Sequence, residues 1–168
     1  MTAKMDRRTF LKTTAAAVVA VSMSGMLTGC GGTADKSVRV TIDGVDFIYE
    51  EPVFITGGVV TKIQYKPLFA IRNNTAGKVT IKPTDITGTF TDAQGNRYPM
   101  DFSNRNYILT VEPHGYEKYN GWDFCLESEN SVPVKSSEGS YELRVKYNGR
   151  TAVFRCDGTG KVLTSGVE

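Results

Sequence analysis

The chain has 168 residues, 40% of them hydrophobic and 23% charged, with 17 Gly, eight Tyr and eight Phe. That balance fits one globular domain rich in strands and turns. Lys4, Arg7, Arg8 and Lys12 against Asp6 put +3 in the first 29 residues, so about −1 of the total +2 is left for the other 139. A near-neutral domain offers no basic field for nucleic acid. At that length a domain buries about 68–70% of its unfolded surface, so folding demands neither metal nor cofactor.

The chain opens with a basic stretch to Lys12, an apolar run from Ala15 to Met26, and then small residues. This is the layout of an export signal. The run is too short for a spanning helix, which needs about 20 apolar residues. Arg7, Arg8, Phe10, Leu11 and Lys12 resemble the twin-arginine export motif, with Asp6 where Ser or Thr usually stands. The resemblance implies export in a folded state; a general secretory signal is the alternative.

Leu27-Thr28-Gly29-Cys30 resembles the bacterial lipobox, in which cleavage precedes the cysteine and a diacylglyceryl group joins its sulfur. Small Thr28 and Gly29 admit the peptidase, and the thiol is the nucleophile that forms the thioether. The two acyl chains of the diacylglyceryl group meet the requirement that stable anchoring takes more than one chain. Residues 1–29 are therefore expected to be removed. The expected location is the extracytoplasmic side of a membrane, reached through lipidated Cys30. Residues 30–36, "CGGTADK", have the composition of a flexible tether, and 37–168 form the domain.

Lipidation leaves Cys125 and Cys156 to pair with each other in an oxidising envelope. A bridge closing so long a loop would contribute about 3 kcal/mol. Strand phase opposes it: Trp122, Phe124 and Leu126 share one face, which puts Cys125 on the other.

From Val38 onward the chain reads as short extended segments separated by turns. "VRVTI" and "VDFIYEE" flank Gly44, and "VVTKIQYKPLFAIRN" holds Pro67, which predicts an edge, a bulge or a break there. "KVTIKP" and "DITGTFTD" follow, then a turn at Asp92–Asn96 into "RYPM". "NYILTV" and "NGWDFCLE" lie either side of the turn at His114. The acidic loop Ser128–Gly139 precedes the clearest local signal, "SYELRVKY-NG-RTAVFRC". Asn148-Gly149 suits a type I′ turn. Pairing Tyr147 with Arg150 then sets Val145 opposite Ala152, Leu143 opposite Phe154 and Tyr141 opposite Cys156, all inward. Gly158–Lys161 begins what reads as a polar tail. The expected fold is an all-β antiparallel sandwich after a cleaved signal, with a closed barrel as the alternative.

Asn73-Asn74-Thr75, then Asp92, Gly95, Asn96 and Tyr98, then Pro113 and Gly115, resemble an immunoglobulin-like domain family of bacterial lipoproteins and secreted proteins. The resemblance spans most of 38–156 and implies an immunoglobulin-like sandwich. Its motifs are turn residues and it implies no activity.

The residues give no catalytic set. His114 is the one histidine and sits in a turn, so neither a zinc site nor a Ser-His-Asp triad is supported. Gly158-Thr159-Gly160-Lys161 lacks the rest of a phosphate loop. No metal, cofactor or enzymatic activity is expected. Trp122 and Phe124 read as core, whereas Tyr116 and Tyr119 read as available for contact. The expectation is a non-catalytic binding or structural module of the cell envelope whose partner is an envelope protein or a glycan. The alternative is a protease inhibitor presenting the loop Ser128–Gly139, with Pro133.

Overall fold

A computed structural model describes residues 37–56, 62–120, 123–132 and 136–168, with 51–56 and 136 as backbone alone. The export signal, lipobox, Cys30 and tether lie outside the described residues, as do Trp122 and Pro133. The described chain belongs to one unit, Gly32–Glu168.

Twelve strands carry it: β1 Val38–Ile42, β2 Val45–Thr56, β3 Gln64–Asn73, β4 Val79–Ile81, β5 Ile86–Thr91, β6 Arg97–Phe102, β7 Leu109–Val111, β8 Tyr116–Tyr119, β9 Leu126–Ser128, β10 Ser140–Tyr147, β11 Arg150–Asp157 and β12 Val162–Val167. Single 3₁₀ turns occur at Pro83–Asp85 and Ser136–Glu138. Every ladder is antiparallel.

The β10–β11 hairpin has the register the sequence dictates, from Tyr147 opposite Arg150 to Tyr141 opposite Cys156. Asn148 and Gly149 take φ of 49° and 76°, the left-handed pair a type I′ turn requires. Asp92 closes the β5–β6 turn, its backbone N–H donating to Asn96 O at 3.0 Å.

The strand order is β1-β2-β3-β9-β6-β5-β10-β11-β12, with β8 also on β3 and β4-β7 as a separate pair. β3 shares one edge between two partners. Gln64 and Tyr65 pair with β9, whereas Phe69 to Arg72 pair with β8. Pro67 lies in the gap between them on that edge, and on the other edge it stands opposite Pro52, where the β2–β3 register shifts. Through β9 the β1-β2-β3-β8 layer runs on into the second layer. The ends of the order, β1 and β12, approach one another, yet no ladder joins them among the described residues. The arrangement is thus sandwich-like rather than a closed barrel.

Rings from both layers fill the space between them. Tyr65 stacks on Tyr141 at 4.7 Å, Tyr49 on Phe154 at 5.7 Å, and Phe69 meets Phe154 edge-on at 6.1 Å. All five are essentially inaccessible. Burial of this kind stabilises by about 1.5–3 kcal/mol per large apolar side chain. Phe124 is buried in the core as expected, stacked on Phe69 at 4.5 Å.

Three expectations are corrected. "NGWDFCLE" is not one strand: the N–H groups of Asp123 and Phe124 both donate to Asn120 O, closing a turn, and β9 begins only at Leu126. The polar tail is instead β12, which pairs with β11 from Ala152 to Cys156 through a bulge at Arg155/Cys156. Cys125 and Cys156 are free, buried thiols, not a bridge. Cys156 points into the core from β11, whereas Cys125 lies outside the core cluster, its backbone carbonyl accepting from Ser103 N–H at 2.8 Å.

Candidate functional site

The strand register defines an outward face on the β1-β2-β3-β8 layer. Phe47, Tyr49, Phe69 and Ile71 face the core, so the residues alternating with them face away. Cross-strand pairing then sets Arg39, Ile48, Ala70 and Lys118 in one row, and Thr41, Asp46, Arg72 and Tyr116 in the next. Ile48 and Ala70 are covered although they face outward, at 5% and 0% exposure.

Charge on this face is unevenly matched. Asp46 accepts from Thr41 Oγ1 at 2.7 Å and Asn74 Nδ2 at 3.1 Å, and lies 3.6 Å from Arg39. Lys118 pairs with Glu50 at 2.5 Å. Arg72 is not within ion-pair distance of Asp46, its ladder neighbour. Its guanidinium carbon sits 5.4 Å from the centre of the Tyr116 ring instead, a cation–π geometry. Among the described residues no carboxylate forms an ion pair with Arg72.

Of the two tyrosines read as available for contact, Tyr116 is 45% exposed on this face. Tyr119 is not available, at 5%. It pairs with Phe69 and so takes the core-facing phase, with Tyr107 against it edge-on at 6.5 Å and burial holding its phenol well above the usual range. Arg72 was missed because its contact with Tyr116 spans forty-odd residues of chain; alternation with Ile71 and Asn73 marks it only as outward.

A second polar cluster lies inside. Tyr49 donates its hydroxyl to Gly160 O at 2.7 Å and shares a short hydrogen bond with Tyr65, whose hydroxyl lies 3.4 Å from Cys156 Sγ. Burial, the largest cause, raises both phenols and the thiol. Burial likewise raises Cys125. Thiols so placed carry little thiolate at neutral pH and are poor nucleophiles. The cluster tethers the Gly160 turn to the core.

His114 is exposed in the β7–β8 turn at φ 56°, with its N–H on Thr75 O. In the loop read as a presented inhibitor segment, Val132 is buried and Ser128 Oγ accepts from Ile63 N–H at 3.0 Å and donates to Asn130 O at 2.8 Å. Those two residues are held against the body of the domain.

Residues 4–24 match the family described as "TAT (twin-arginine translocation) pathway signal sequence". The match contains Arg7, Arg8, Phe10, Leu11 and Lys12. It directs the chain across the cytoplasmic membrane to an extracytoplasmic location. Among curated proteins nothing matches the chain. Among solved structures, a calcium-binding mutant (D341A D367A) of Bacteroides uniformis beta-glucuronidase 2 aligns over 77% of this chain at 10% identity and TM-score 0.32. The chain spans only 14% of that protein's length.

Proposed function

We propose that this exported protein is a lipoprotein, held to the outer side of a membrane by lipidated Cys30. Its 37–168 sandwich, of the immunoglobulin-like kind, then acts as a non-catalytic binding or structural module on a tether of residues 30–36. The observation that carries the reading is the succession of a twin-arginine signal over residues 4–24 and Leu27-Thr28-Gly29-Cys30 directly after it. A signal of that kind delivers the chain to the compartment face where a lipobox is processed. The non-catalytic part is supported by the placement of the candidate nucleophiles: Cys125 and Cys156 are buried with raised pKa, and His114 stands in an exposed turn.

Cell fractionation with palmitate labelling tests the anchor. Wild-type protein is expected in carbonate-washed membranes and labelled; Cys30→Ser is expected unlabelled and soluble on the extracytoplasmic side. Retention of Cys30→Ser in washed membranes would refute anchoring at Cys30. Cross-linking in intact cells then tests the module: an abundant partner marks a docking role.

A further inference from the structure

On the reading that the domain is a binding module, we propose that the outward face of β1-β2-β3-β8 is its ligand surface and that the ligand is an acidic polysaccharide segment. A sugar carboxylate meets Arg72 while a sugar ring lies on Tyr116. The face is rigid, because its two rows are fixed by backbone ladders across four strands. Asp46 and Glu50 are engaged by Arg39 and Lys118, and Arg72 is left against an aromatic ring with no carboxylate partner among the described residues. A planar guanidinium in that state offers paired N–H donors to a carboxylate, the geometry in which arginine binds most specifically.

The charge thus selects an anion, and the apolar content selects a sugar over a protein. Protein interfaces bury an apolar, aromatic-rich centre. Here Ile48 and Ala70 are already covered, so Tyr116 is the one exposed large apolar side chain in the two rows. One exposed ring beside hydrogen-bonding groups is what the C–H face of a pyranose needs, and it is too little for a protein hot spot. Export removes the chain from cytoplasmic nucleic acid, and the near-neutral domain does not favour it.

Fluorescence anisotropy with labelled short galacturonic acid oligomers tests this on the mature protein in detergent. Neutral galactose oligomers and a poly-glutamate peptide are the comparators. The acidic oligomer is expected to bind more tightly than both, and to weaken about tenfold or more with Arg72→Gln or Tyr116→Ala. Arg72→Lys should fall between, and Glu117→Gln, on the other phase of β8, should bind as wild type. Thermal melts confirm that each variant folds. Absence of binding, equal binding of the neutral oligomer, or full binding by Arg72→Gln would overturn the proposal. So would tighter binding of poly-glutamate that Arg72→Gln abolishes, since the face would then read acidic protein. None of these outcomes alters the fractionation result, so failure of the ligand class is distinguishable from failure of the anchor.

Discussion

Replacing Asn73 by Ala tests whether the pole where β3, β7 and β8 meet is held by one buried amide. Asn73 is 0% exposed. Its Nδ2 donates to Gly77 O at 2.7 Å, Glu112 O at 3.0 Å and, more weakly, Val111 O at 3.3 Å. Its Oδ1 accepts from Thr75 N–H at 2.9 Å and Thr75 Oγ1 at 2.7 Å. A net contribution of about 1 kcal/mol per good bond gives roughly 4 kcal/mol for the well-formed set. Several partners are only partly buried and regain water in the variant, which lowers the expected loss to about 3 kcal/mol. For a domain of this size that corresponds to a fall in Tm of roughly 10 °C. Urea and thermal unfolding followed by far-UV circular dichroism measure it. Asn73→Asp separates the two halves of the network: it keeps the acceptor for Thr75 but sets a buried negative charge among carbonyl oxygens. It should be at least as destabilised as Asn73→Ala at neutral pH and recover partly in acid, where a protonated carboxyl can donate. A loss below about 1 kcal/mol for Asn73→Ala, or a stable Asn73→Asp, would refute the assignment of Asn73 as the pole's organising donor.

Titration with a thiol reagent should find Cys125 and Cys156 unreactive in the native mature protein and both reactive in urea; a protein with no titratable thiol after unfolding would show that a bridge does form. Gly139→Ala should prevent stable folding, because a Cβ there would lie 2.2 Å from Phe90 Cε2 and 2.4 Å from Thr91 O. Gly95→Ala meets no atom within 4 Å and carries only the strain of φ +87°, so it should lose about 1 kcal/mol; equal melting temperatures for the two variants would contradict the packing. Hydrogen bonds from Asn96 hold Asp92 below the ordinary carboxylate range, and Gln64 and Thr159 do the same for Glu127 and Asp157. Such groups stabilise fully above the unfolded pKa of roughly 4, and the stability is lost as pH falls through the depressed folded values. Urea midpoints should therefore decline below about pH 4, less steeply in Asp92→Asn, and a pH-independent midpoint would be inconsistent with these bonds.

Locally encoded features were legible in the sequence. The β10–β11 register follows from two alternating runs about Asn148-Gly149, and nothing distant is needed to set it. The Asp92 turn is equally local: its carboxylate takes the N–H groups of Gln94 and Asn96. What stayed hidden depends on partners far away in the chain. "YEKY" has no strand signature of its own; β3 recruits it as β8, and the phase imposed by Phe69 buries Tyr119 and exposes Tyr116. "VLTSGV" looked like a tail because its side chains are largely exposed, and β11 makes it a strand through backbone bonds. Pro67 announced an interruption, but the handover of one strand edge from β9 to β8 could not be read from a proline. For the site, alternation marked Arg72 as outward, while its position against Tyr116 needed the β3–β8 register.

The two unbridged thiols bear on the timing of the protein's biogenesis. A core that closes around reduced cysteines reaches its final form without an oxidant, a disulfide isomerase or a pairing step that could go astray. The domain can therefore complete its folding on the cytoplasmic side, where thiols are kept reduced. It can then cross as a folded body through a route for folded cargo, with no bridge between Cys125 and Cys156 left to be made in the envelope.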